Sequence, residues 1–87
     1  MTNEIRTKAI ELAASYYANW QVCEAEMEYN DGREYRNRYE GALRMAILLG
    51  VDNGDGENAI ESEIKDTAYR LCGDEIRKAY EANNATR

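Results

Sequence analysis

The side chains of this chain that could make or break bonds are few in kind. There are 17 carboxylates, two cysteines and seven tyrosines, and no histidine. Acid–base work by paired carboxylates needs one carboxyl buried deeply enough to keep its proton near neutral pH. Glu24, Glu26 and Glu28, then Asp52, Asp55, Glu57, Glu61, Glu63 and Asp66, all fall at polar positions of the pattern or in a turn, where water solvates both oxygens. The absence of histidine removes the imidazole base, the Ser-His and Cys-His pairs and the histidine metal ligand. Cys23 and Cys72 have no CxxC neighbour and cannot alone complete a four-ligand zinc site. They read as small buried hydrophobes, and their spacing leaves open whether the sulfurs meet. The expectation is a protein that is not an enzyme and uses no cofactor.

One segment has the residue types of a cation loop. Asn53-Gly54-Asp55-Gly56 resembles the start of an EF-hand or dockerin loop, where oxygens at alternate positions surround a hard cation and a glycine makes the sharp turn. With Gly56 at the sixth position, Asn53 and Asp55 are acceptable ligands. Val51 stands at the first position with no side-chain oxygen, and Ser62 stands where a bidentate glutamate belongs. Two main ligands are missing, so the segment reads as an acidic connection between helices and no metal is expected.

The elements that carry these residues are helices. Ile5, Ala9, Leu12, Tyr16, Trp20, Cys23 and Met27 recur at helical spacing, and Ile10, Ala13 and Tyr17 form a second stripe beside them. Asn30-Asp31-Gly32 is a strong turn sequence and predicts the end of a first helix spanning about residues 3–29. Tyr35, Tyr39, Ala42, Ala46 and Leu49 place a second, shorter helix at about 32–49, with Asp31 and Glu34 as its capping pair and Gly50 as its left-handed terminus. Gly41 lies inside it, which implies close helix packing. Asn58 and Glu61 read as the cap of a third helix at about 58–83, along which Ile60, Ile64, Ala68, Leu71, Ile76 and Ala79 keep phase. That helix is either continuous or bent at Gly73, and the phase favours continuity. No segment of useful length alternates with period two. The fold class is all-α: residues 1–87 as a single domain, an antiparallel three-helix bundle with short connections.

Charge narrows the function. The net charge is −6, and the first dozen residues carry no signal-peptide pattern. The longest aliphatic run, residues 45–49, is far below the ~20 needed to span a bilayer. No membrane association is expected, and a cytoplasmic location is. Residues 31–50 are the one basic stretch, net +1, with Arg33, Arg36, Arg38 and Arg44 expected to pair with acids on neighbouring helices. A DNA-binding helix-turn-helix would have to use this helix while the rest of the chain repelled phosphates, so direct nucleic-acid binding is not expected. Residues 52–66 hold six acids and one base, Lys65. Such a patch suits a basic protein partner, because complementary fields speed and select association.

In small size, acidity, lack of catalytic equipment and solitary domain, the chain resembles the small inhibitors that phages and mobile elements carry, including anti-CRISPR proteins. The resemblance implies a non-enzymatic inhibitor that blocks a basic, nucleic-acid-binding nuclease in the host cytoplasm by placing carboxylates where phosphates would sit. Asp52, Asp55, Glu57, Glu61, Glu63 and Asp66 are the expected contacts. Tyr69, as an aromatic anchor off the main stripe, joins them, since tyrosine is enriched at binding hot spots. The alternative is a structural, self-associating helical module, most simply a homodimer that buries apolar surface left over by helices 1 and 3.

Overall fold

Three helices follow one another: α1 (Thr2–Ala25), α2 (Tyr29–Asp52) and α3 (Glu57–Ala85). The structure is a computed structural model that describes residues 2–52, 54 and 56–85, and none of these is in a strand. Sequential helices are antiparallel, so α3 returns parallel to α1. Arg6 meets Glu63 at 2.7 Å near one end of that pair, and the Tyr80 hydroxyl donates to Gln21 Oε1 at 3.4 Å near the other. The helical bundle is therefore as the periodicity predicts. Its centre is α1, which packs along both neighbours, whereas α2 and α3 meet only sparsely. The molecule is elongated, 47 × 23 × 20 Å.

The buried arc of α1 is set by this central position. Ile10, Ala13, Ala14, Tyr17 and Ala18 are buried, at spacings of three and four residues. They include the second stripe of the sequence rather than the first. The reason is geometric: the arc that faces two helices must be lined with small residues, and Ala13, Ala14 and Ala18 let α2 and α3 approach with Ala46 and Ala68. Ile60 and Ile64 of α3 fill the remaining volume and are completely covered. Beyond them Tyr17, Trp20, Tyr39 and Tyr69 form an aromatic cluster with ring centroids 5.3–6.2 Å apart, a range favourable for edge and tilted contacts.

The turns differ from the sequence expectation. α1 stops at Ala25, not near residue 29, and the reversal is Glu26-Met27-Glu28. Met27 takes the left-handed conformation, φ 61°. The Glu28 N–H donates to the Cys23 carbonyl at 2.9 Å and the Met27 N–H to the Glu24 carbonyl at 3.2 Å. That double bond pattern is the Schellman closure, here built without glycine. Asn30, Asp31 and Gly32 lie in the first turn of α2 instead. A Cβ on Gly32 would sit 3.3 Å from the Cys23 Cβ, so this glycine lets α2 cross close to α1. α2 is as long as α1, 24 residues each. It continues through Gly50, and the left-handed glycine is Gly54 (φ 83°). Gly41 faces open space, with nothing within 4 Å of an added Cβ, so close packing is not its reason. α3 runs unbroken through Gly73. Its first bond, Ile60 N–H to Gly56 carbonyl at 3.1 Å, makes Gly56 the cap residue instead of Asn58.

Candidate partner-binding surface

A helix turns about 100° per residue, so a set of acids close in sequence need not share a face. Glu57 and Glu61 are one turn apart on one side of α3. Glu63 leaves on nearly the opposite side, toward α1, and Asp66 is about 60° further round. Glu63 is held by Arg6, and Glu61 by Lys65 Nζ at 3.2 Å. Glu57 and Asp66 are exposed and make no ion pair among the described residues. Asp52 is the last residue of α2. Asp55, like Asn53, lies outside the described residues. Tyr69 is exposed, yet its ring leans edge-on against Tyr17 at 6.2 Å. Of the seven predicted contacts, Glu57, Glu61, Glu63, Asp66 and Tyr69 are thus spread around the first half of α3, and Glu61 and Glu63 are paired with Lys65 and Arg6.

The cation-loop resemblance meets a similar fate. Val51 is helical as part of α2, and Ser62 lies inside α3, which begins at Glu57. Eight of the twelve positions of the would-be loop are therefore helix. Among the described residues no group of three or more cysteine, aspartate or glutamate side chains is placed to hold a metal ion.

A second acidic pole stands at the other end of the molecule, built from residues that the sequence marks as solvated carboxylates and a helix cap and not as partner contacts. The turn between α1 and α2 carries Glu24, Glu26, Glu28 and Asp31 around the buried Cys23. Burial pushes the Cys23 thiol up, and the fields of Glu28, Asp31, Glu26 and Glu24 push it further. Glu24 accepts from the Trp20 indole N–H at 3.1 Å. Glu26, Glu28 and Asp31 make no ion pair among the described residues, and Met27 and Tyr29 stand exposed between them. The signal in the sequence was the alternation Glu24-x-Glu26-x-Glu28, followed by Tyr29 and Asp31.

The basic residues of α2 do not bridge to other helices as expected. Arg36 pairs with Glu40 and Arg38 with Glu34, both one turn away on the same helix. Arg33 and Arg44 make no ion pair among the described residues. Arg44 lines a solvent-open depression of about 650 Å³ with Leu43, Ile47, Leu48 and Glu57. Arg36 also lies over the Trp20 ring at 6.0 Å.

Every described carboxylate side chain is exposed except that of Glu61, which is half-buried. Besides the Cys23 thiol, the perturbed protons are phenolic. Burial raises Tyr39 to about 12, with help from Glu61 and Glu40, and its hydroxyl is buried without a hydrogen-bond partner. Tyr17 is also pushed up to about 12, first by burial and then by the neighbouring Tyr69. Both are core groups that stay protonated at neutral pH. Both cysteines are free thiols, Cys23 buried and Cys72 half-buried. No helix is long and apolar enough to cross a membrane among the described residues. Compared with protein-family models, curated proteins and solved structures, the chain matches none.

Proposed function

We propose that this protein is a non-enzymatic inhibitor that binds a basic, nucleic-acid-binding protein partner through its carboxylates. The supporting observation is the distribution of uncompensated charge. Glu26, Glu28 and Asp31 at one end of the rod, and Glu57 and Asp66 at the other, are exposed carboxylates without ion pairs among the described residues. α2 separates the two ends by about 36 Å at 1.5 Å per residue. Rows of fixed carboxylates on a rigid helical scaffold meet lysines and arginines as phosphates do, and long-range attraction speeds the encounter. Met27 and Tyr29 supply apolar and aromatic contact beside the bare charges of the first pole. Tyr69, about 18 Å along α3 from Glu57, adds an exposed aromatic ring between the two poles. A CRISPR effector nuclease is the kind of partner this chemistry fits.

The test is competition. A panel of basic nucleic-acid-binding nucleases, CRISPR effectors among them, is loaded with labelled DNA and followed by fluorescence anisotropy as the protein is added. The expected result is displacement from at least one member, weakening as salt rises. Failure to displace DNA from any member, or displacement indifferent to salt, overturns the reading.

A further inference from the structure

The best-formed apolar seam of the sequence is only half used by the core, against which Ala9 and Tyr16 pack. Ile5, Ala9, Leu12 and Tyr16 recur at spacings of four, three and four, which is the pattern of a coiled-coil contact line. In the folded chain Ile5 is 55% exposed and Leu12 51%, while Ala9 and Tyr16 are half-buried. On the adjoining helix Met45 is 58% exposed. α1 and α2 run antiparallel, with Gly32 packed on Cys23 at one end, which brings Met45 level with the stretch of α1 around residue 11. Helical phase puts Met45 on the flank of α2 turned away from α3, the same side as Leu12. One side of the α1–α2 hairpin thus presents an apolar face that no helix of this chain covers.

We propose that a second copy of this chain covers it, with the two α1 helices antiparallel across a two-fold axis between Ile10 and Glu11. Two observations select this occupant. The first is steric. In that register Ile5 opposes Tyr16 of the second copy and Ala9 opposes its Leu12, so large meets small in the central layers and the side chains interdigitate. The second is charge. Lys8 flanks the seam and lies about 3 Å along the helix axis from Glu11 of the second copy, and symmetry makes this pair twice. Lys8 is free to reach it, since its only ion pair among the described residues is a loose exposed one with Glu4 at 3.6 Å. The pairing leaves both acidic ends uncovered, so it stands independently of the proposed inhibition.

Sedimentation equilibrium of the intact chain over a micromolar concentration series tests the proposal. The wild type is expected to be a reversible dimer. Leu12→Glu is expected to weaken it by about a hundredfold or more, because each dimer loses two buried leucines, with far-UV helicity unchanged because Leu12 is half outside in the single chain. Lys8→Glu is expected to weaken the dimer several-fold, and Lys8→Glu with Glu11→Lys to restore it. Leu48→Glu, on the opposite flank of α2, is expected to leave it intact. A wild-type monomer throughout the series overturns the proposal, whether or not another protein binds the face. So does a dimer that survives Leu12→Glu, or one that Leu48→Glu dissociates.

Discussion

The two acidic ends of the rod are alike in sequence and unlike in structure. Residues 24–34 hold five acids and one base, and residues 52–66 six acids and one base. At the start of α3 the parallel run of α1 delivers Arg6 to Glu63, and helical spacing delivers Lys65 to Glu61. At the α1–α2 turn no base pairs with Glu26, Glu28 or Asp31 among the described residues: Arg38 is held by Glu34 and Arg36 by Glu40, and Arg33, two residues after Asp31, makes no ion pair. Charge density along a chain is therefore a poor measure of the field a partner meets. What counts is how many counter-charges the packing brings within reach.

That contrast is sharpest in binding. Reversing Glu26, Glu28 and Asp31 to lysine together is expected to weaken association with a basic partner by about a hundredfold or more at low salt, since like charges facing each other cost several kcal/mol. Reversing Glu57, Glu61 and Glu63 is expected to do less, because two of those three are already neutralised. Anisotropy titrations of both triples at two salt concentrations check the order. Equal losses would mean that the intramolecular pairs open freely and that the poles are equivalent.

The glycines separate the ends by backbone rather than charge. Gly32 sits where α2 presses on Cys23, and Gly41 sits in open space on the same helix. Ala is favoured over Gly inside a helix by about 1 kcal/mol. Gly41→Ala is expected to stabilise the fold by about that amount. Gly32→Ala is expected to gain nothing, because the contact offsets the propensity, and Gly32→Val to lose about 1–3 kcal/mol through overpacking. Urea unfolding of the three variants measures this.

Much of this was legible beforehand, and the losses have identifiable causes. The period of 3.6 carried three helices and their order, and the phase of Ile64, Ala68, Ile76 and Ala79 was enough to carry α3 through Gly73. Which stripe of α1 would be buried was not legible, because it depends on α1 serving two neighbours at once. The turn was misplaced because Asn30-Asp31-Gly32 has stronger turn chemistry than Glu26-Met27-Glu28, and tertiary contact at Gly32 overrode it. The acidic residues of the site were visible as composition. Their pairing was not, since nothing local in the sequence places Arg6 beside Glu63.

Alkaline pH probes the aromatic cluster that lies between the poles. Tyr17 and Tyr39 ionise in the fold near 12, against about 10 in the unfolded chain. Between these values the unfolded state releases protons that the folded state keeps, so stability is full below about pH 10 and falls as pH rises toward 12. Thermal melts followed by circular dichroism should show Tm dropping through that window. Tyr39→Phe should lessen the drop. At neutral pH it is expected to be neutral or to stabilise by about 1 kcal/mol, because it removes a buried hydroxyl that has no partner.

The smallest effect is expected at Met27, and it asks whether the bare acidic corner is strained as well as uncompensated. A side chain in the left-handed region costs roughly 1–2 kcal/mol, and Met27 at φ 61° holds it with the side chain half in water, where little packing compensates. Glycine relieves that strain but adds freedom to the unfolded chain. The net expectation for Met27→Gly is a gain of about 0.5–1 kcal/mol in urea unfolding, with the Schellman bonds kept. If Met27 also contacts the partner, the same variant binds more weakly while folding more tightly. A variant that is no more stable would mean that the methionine already makes compensating contacts on the folded surface, and the corner would then be set by packing as firmly as the α3 end is set by Arg6.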